Sequence, residues 1–109
     1  SGAFHSPFMN EPSSKFSDYL KQIKFHNPSF PVISNYEPSL CSDPNELKIR
    51  LEKQMCNGVR WRETMDLMAK DTDLHIVEIG PSNVLSGLGK RHLKDVKISQ
   101  VSSSDQISY

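Results

Sequence analysis

Apolar residues fall along this chain in short stretches, each with its own period and each closed by a breaker. Phe16, Tyr19, Leu20 and Ile23 recur at i, i+3, i+4 and i+7, the spacing of one helix face. Pro12 suits the first turn of that helix, and residues 1–11 read as a loop before it. Asn27-Pro28 closes the helix, because the residue before a proline is pushed out of the helical region. Phe30-Pro31-Val32-Ile33-Ser34-Asn35 is an apolar run between breakers and reads as a buried strand. After a loop over 36–42, Asp43-Pro44-Asn45-Glu46 has the form of a capped helix start. Asp43 is the N-cap, Pro44 the first helical residue, and Glu46 reaches back. That helix carries Leu47, Leu51 and Met55 on one face, and Asn57-Gly58 breaks it. A further helix takes Trp61, Met65 and Met68 inward. His75-Ile76-Val77-Glu78-Ile79 is a β-rich run stopped by Gly80-Pro81. A short helix from about Asn83 to Leu93 carries Val84, Leu85 and Leu88, with a basic end at Lys90-Arg91-His92 that suits the negative helix pole. Residues 96–101 alternate apolar and polar as a half-buried strand does, and Ser102 to Tyr109 are polar and read as frayed.

Strands separated by helical patterns predict an α/β fold with a parallel sheet. Three strands are few for a sheet that needs both faces covered. The chain therefore reads as part of a larger, doubly wound parallel sheet. Residues 1–109 are expected to form one segment of a domain, with 1–101 as its ordered core and 102–109 as a polar tail.

Composition narrows the possible partners. Lysine and arginine number 13, aspartate and glutamate 13, so the formal net charge is zero. A nucleic-acid surface needs a basic excess, and none is expected. The apolar runs are far too short to span a membrane, so no membrane partner is expected either. Cys41 and Cys56 read as two reduced thiols rather than a disulfide framework. The four histidines and two cysteines show no close ligand spacing, so no metal site is expected.

Four short stretches carry a family resemblance, in order along the chain. They are Ala3-Phe4-His5-Ser6-Pro7-Phe8-Met9, Pro31-Val32-Ile33-Ser34-Asn35, Gln54-Met55 with Val59-Arg60-Trp61, and Glu78-Ile79-Gly80-Pro81 followed by Val84-Leu85 and Gly87-Leu88. Together they resemble the malonyl-CoA:acyl carrier protein transacylases and the related acyltransferase domains of fatty-acid and polyketide synthases. Gln54 followed by Val59-Arg60-Trp61 looks like the discrete transacylases rather than the synthase domains.

The resemblance implies the C-terminal part of the α/β-hydrolase-like large domain of a two-part acyltransferase. It implies that His5 is the general base for a serine nucleophile on a G-x-S-x-G elbow. Glycines 2, 58, 80, 87 and 89 never bracket a serine in that way, so the remainder of the enzyme is an expected partner. Histidine suits the role because its pKa near neutrality lets it take the serine proton and return it to a leaving thiolate. Ser6 is not the expected nucleophile, because adjacent side chains on an extended loop point apart. Gln54 is expected beside His5, its main-chain carbonyl holding the imidazole as the aspartate of a Ser-His-Asp triad would. Asn35 is expected near the histidine at the end of the first strand, and Phe4 near the malonyl C2, where its ring leaves no room for a methyl branch. The substrates implied are malonyl-CoA and acyl carrier protein in fatty-acid biosynthesis, with no cofactor beyond the coenzyme A thioester itself. A non-catalytic pairing module is the reading from another class, since an incomplete sheet has open edges. Nine lysines against four arginines, with many serines, point weakly to a plastid-type organelle; a bacterial cytoplasm fits as well.

Overall fold

The computed structural model of the chain describes residues 2–107. They form two units, residues up to Thr64 and residues from Met65 onward, with the boundary inside one helix.

The first unit opens with a 3-10 turn, Pro7–Met9, that runs into α1, Asn10–Gln22. Helical structure thus begins earlier than Pro12. It also ends earlier: Ile23 is already extended, with φ −94° and ψ 124°, well before Asn27-Pro28. The Lys48 ammonium donates to the Ile23 carbonyl. A distant lysine therefore satisfies a carbonyl at the helix end, a tertiary cap that local pattern does not reveal. Of the expected stripe only Leu20 is buried, at 3% exposure, while Tyr19 and Ile23 face outward.

The strand expected over Phe30–Asn35 does not form. Val32 and Cys41 make a single antiparallel bridge, with N–H to O distances of 2.9 and 3.0 Å. Pro31 has no N–H to give a ladder, and Ser34 turns the chain by accepting the Glu37 N–H at 3.0 Å. Asn35 therefore sits in a bend rather than at a strand end, and its carbonyl accepts the Arg60 N–H at 2.9 Å.

α2, Pro44–Lys53, begins as the sequence predicts. Asp43 Oδ1 accepts the Glu46 N–H at 2.7 Å, and Pro44 stands at the start. Glu46 does not reach back; its carboxylate instead takes the Arg50 guanidinium at 2.9 Å, one turn along the helix. Asn57 Nδ2 donates to the Lys53 carbonyl at 2.7 Å, satisfying an end of α2 where the helix breaks. α3, Trp61–Met68, buries Met65 almost completely. Trp61 is half-buried, and its Nε1 finds no hydrogen-bond acceptor among the described residues.

The second unit is built on β1, His75–Ile79, and β2, Lys97–Val101, paired in parallel from His75↔Lys97 to Ile79↔Val101. α4, Val84–His92, connects them. The fold class is α/β, and among the described residues the sheet has these two strands. Gly80 leaves β1 at φ +153°, a conformation open to glycine, and its N–H reaches the Val101 carbonyl at 2.9 Å. α4 does not bury the apolar positions expected of it. Val84, Leu85 and Leu88 are exposed, and the inward face is Ser86, Gly89 and, just past the helix, Leu93. A Cβ at Gly89 would stand 3.1 Å from Ile98 Cδ1, so the helix lies close on the sheet because this position is bare. After Val101 the polar segment still makes a 3-10 turn, Ser104–Gln106, and Ser102 N–H donates to Gln106 Oε1 at 2.8 Å. The rest of the expected tail, Ser108 and Tyr109, lies outside the described residues.

Glu78 on β1 is 9% exposed and joins the strand to the helix. Its carboxylate accepts the Ser86 hydroxyl at 2.5 Å, the Ser86 N–H at 2.8 Å and the Leu85 N–H at 3.2 Å. These are N–H groups of the first turn of α4, which have no partner inside the helix and favour a negative charge. The Ser86 hydroxyl foremost, then the two backbone N–H groups, hold this carboxyl below its ordinary value of 4.5, against the opposing effect of burial. The folded state then binds fewer protons than the unfolded chain as the group titrates, so stability rises with pH across that window. The contribution is complete above 4.5 and is lost as pH falls through the lowered folded value. Urea midpoints measured as the pH is lowered should fall more steeply for the wild type than for Glu78→Gln. Parallel slopes would show that this carboxylate does not contribute.

Candidate active site

His5 is held at the end of α2 by two consecutive carbonyls. Its backbone N–H donates to Met55 O at 2.9 Å, and its ring Nδ1 lies 2.8 Å from Gln54 O. A carbonyl can only accept, so Nδ1 carries the proton and the neutral ring presents a bare Nε2. The side chain is exposed, so Nε2 is open to an incoming hydroxyl. His5 itself adopts φ +64°, a left-handed conformation uncommon for a residue with a Cβ. Such backbone persists where its surroundings over-determine it, as the Gln54 and Met55 carbonyls just past α2 do here.

The neighbouring residues shape this turn. Ser6 Oγ donates to the Ala3 carbonyl at 2.6 Å, so its hydroxyl closes the turn. The Ser6 carbonyl in turn accepts the Met9 N–H at 3.0 Å and starts the 3-10 turn. The Phe4 ring stands 60% exposed beside His5 in the chain.

Gln54 is the C-cap of α2, and its N–H bonds back to Arg50 O at 3.1 Å. Its carbonyl contacts His5, while Asn35 and Gln54 both line a cleft of about 390 Å³ whose walls include Ile33, Leu47 and Leu51. Thus Gln54 touches His5 directly and shares a cleft with Asn35. Phe4 and His5 do not line that cleft. Among the described residues no cluster of three histidine, cysteine, aspartate or glutamate side chains could hold a metal ion. No described helix is long and apolar enough to cross a membrane.

Sequence reasoning passed over Arg50. It is 7% exposed and donates to Glu46 Oε1, to Ser39 O at 2.9 Å and to Glu37 O at 3.5 Å. The available signal was its register: Leu47, Arg50, Leu51 and Gln54 share one helix face, so a charge stands inside an apolar stripe.

No family model matches the chain. The malonyl CoA-acyl carrier protein transacylase of Synechocystis is 39% identical over 108 residues, covering 99% of this chain. The crystal structure of the Synechocystis malonyl-CoA:ACP transacylase superposes with a TM-score of 0.89 at 40% identity, over 96% of this chain and 36% of that one. A structure of a malonyl-transacylase in complex with its type II polyketide synthase acyl-carrier protein superposes at 0.84 and 29% identity, over 94% of this chain and 33% of that one. The chain spans about a third of the length of the curated relatives it matches, 37% in the Synechocystis case. Over nearly its whole length, in sequence and in fold, this chain is thus homologous to one segment of the malonyl CoA-acyl carrier protein transacylases.

Proposed function

We propose that this chain is the histidine-bearing segment of an enzyme that moves malonyl from coenzyme A to the phosphopantetheine thiol of acyl carrier protein, in fatty-acid biosynthesis. The observation that carries the reading is the hydrogen bond between His5 Nδ1 and Gln54 O, which leaves Nε2 as a base. The nucleophilic serine belongs to a G-x-S-x-G elbow outside these 109 residues, and the 109 residues are one segment of the large domain. As the serine oxygen attacks the thioester carbonyl, Nε2 takes its proton; collapse of the tetrahedral intermediate expels the coenzyme A thiolate, which receives that proton. The acyl carrier protein thiol then gives its proton to Nε2 and attacks the malonyl-serine ester, and the serine leaves with the proton returned. Gln54 O keeps the ring in one tautomer and meets the positive charge the ring gains at each step, helped by the negative end of α2. Backbone amides of an oxyanion hole, largely outside the segment, stabilise the intermediates. The chemistry draws on no cofactor; the coenzyme A thioester is substrate. Asn35, which lines a cleft with Gln54, is the substrate-binding residue in this reading. A plastid-type organelle or a bacterial cytoplasm is the setting.

The test is a hybrid enzyme in which this chain replaces the corresponding segment of the Synechocystis transacylase. The hybrid should transfer malonyl to acyl carrier protein, and a well-folded but inactive hybrid would count against the reading. In the same hybrid, Phe4→Ser should open the site to a branched acyl group. One methylene is worth roughly 10-fold or more in discrimination, so the preference for malonyl-CoA over methylmalonyl-CoA should fall by about that factor. An unchanged ratio would remove Phe4 from the acyl site.

A further inference from the structure

We infer that Arg50 is a positioning residue for His5, fixing the Gln54 carbonyl against the turn that carries Asn35; the inference rests on the reading of His5 as a base. The guanidinium is buried and reaches in two directions. One N–H, from Nε, takes Glu46 on its own helix at 2.9 Å, and Nη1 takes the carbonyls of Ser39 and Glu37 at 2.9 and 3.5 Å. The turn so held is the one that Ser34 closes on Glu37. Glu37 also pairs with Arg60, whose N–H holds the Asn35 carbonyl. On the other side, the Arg50 carbonyl accepts the Gln54 N–H at 3.1 Å, which orients the peptide one residue before the carbonyl that receives His5. Arg50 is therefore fastened through its side chain to the Asn35 turn and through its backbone to the residue that selects the His5 tautomer.

Arginine is the residue that can do this. Its planar fork offers five donors in fixed directions, whereas a lysine ammonium on a flexible stem cannot serve a carboxylate and two carbonyls in the same geometry. An arginine that merely stabilised the turn would leave the imidazole indifferent to its loss. A positioning arginine would not, because a neutral imidazole released from Gln54 O returns to the mixture in which Nε2–H predominates. Nε2 would then carry a proton and be useless as a base.

The experiment is nitrogen-15 spectroscopy of the histidine rings in the 109-residue chain, wild type against Arg50→Met, with backbone shifts recorded to follow the fold. Wild-type His5 should hold its proton on Nδ1. Arg50→Met, which keeps the length of the stem, should convert His5 to a tautomer mixture while the α4 and β2 shifts stay in place. Arg50→Lys should give an intermediate mixture, and it decides the matter if Arg50→Met fails to fold. A loosened 34–39 turn with His5 still wholly protonated on Nδ1 would overturn the inference. So would a wild-type His5 that already populates both tautomers. Failure of the hybrid to transfer malonyl would leave this result standing, since the ring is read without turnover, and would count against the transacylase reading alone.

Discussion

In the hybrid enzyme, His5→Ala should lower kcat/KM for malonyl transfer by roughly 10²- to 10⁴-fold, the range expected for a positioned general base. Two things would be lost together: the base that activates the serine, and the proton donor that lets the thiolate leave. Alanine also changes the backbone, because φ +64° is costly for a residue without a local hydrogen-bonding side chain. His5→Asn separates the two effects. Asparagine tolerates the left-handed region and can keep the backbone N–H on Met55 O, yet it cannot shuttle a proton. Equal losses for the two variants would assign the effect to chemistry. Near-wild-type turnover by His5→Asn would show that the position matters for its backbone alone.

The second large effect is expected from Gln54, and it depends on which atom is disturbed. The contact to His5 is made by the main-chain oxygen, so Gln54→Ala should cost little. Gln54→Pro removes the N–H that bonds to Arg50 O and sets a ring against that carbonyl. It also drives Lys53 out of the helical region and unwinds the end of α2. The carbonyls of residues 54 and 55 then no longer face His5. A displacement of about 1 Å at a catalytic group can cost on the order of 10²-fold in rate, and Gln54→Pro should lose at least that. Turnover of the two hybrids, read beside their helical content, checks the expectation. Equal losses for alanine and proline would assign the role to the side chain and contradict the backbone reading.

The residues explain why some of this was legible in the sequence and some was not. Asp43-Pro44 marks the start of α2 because an N-cap works through neighbours three residues apart, and its bond to Glu46 is present as expected. β1, α4 and β2 were legible because periodicity and the Gly80-Pro81 break are local signals. The 30–35 segment misled because an apolar run reads as a buried strand, whereas Phe30 stands 72% exposed and Val32 alone of the segment finds a ladder partner among the described residues, at Cys41. α4 misled in the opposite way. Its inward face is the small pair Ser86 and Gly89, chosen by the closeness of the sheet and by the carboxylate of Glu78, while its larger apolar residues point outward. The early end of α1 depends on Lys48, a residue 25 positions from the carbonyl it holds.

The site divides in the same manner. His5 and Gln54 were readable only through family resemblance, because nothing in local pattern brings positions 49 apart within 2.8 Å. Asn35 shares a cleft with Gln54, though on a turn rather than a strand. Arg50 was hidden because a charge on a helix normally faces water. Its burial follows from three acceptors that only the folded chain collects.

The claim that His5 is the base for a serine outside this segment is tested most directly by the first half-reaction. Hybrid enzyme is mixed with malonyl-CoA in the absence of acyl carrier protein, quenched in acid at successive times, and its intact mass recorded. The enzyme with His5 should gain one malonyl group rapidly, on the serine, and His5→Asn should gain it slower by a factor of at least about 10². Acylation of the two proteins at the same rate would contradict the claim.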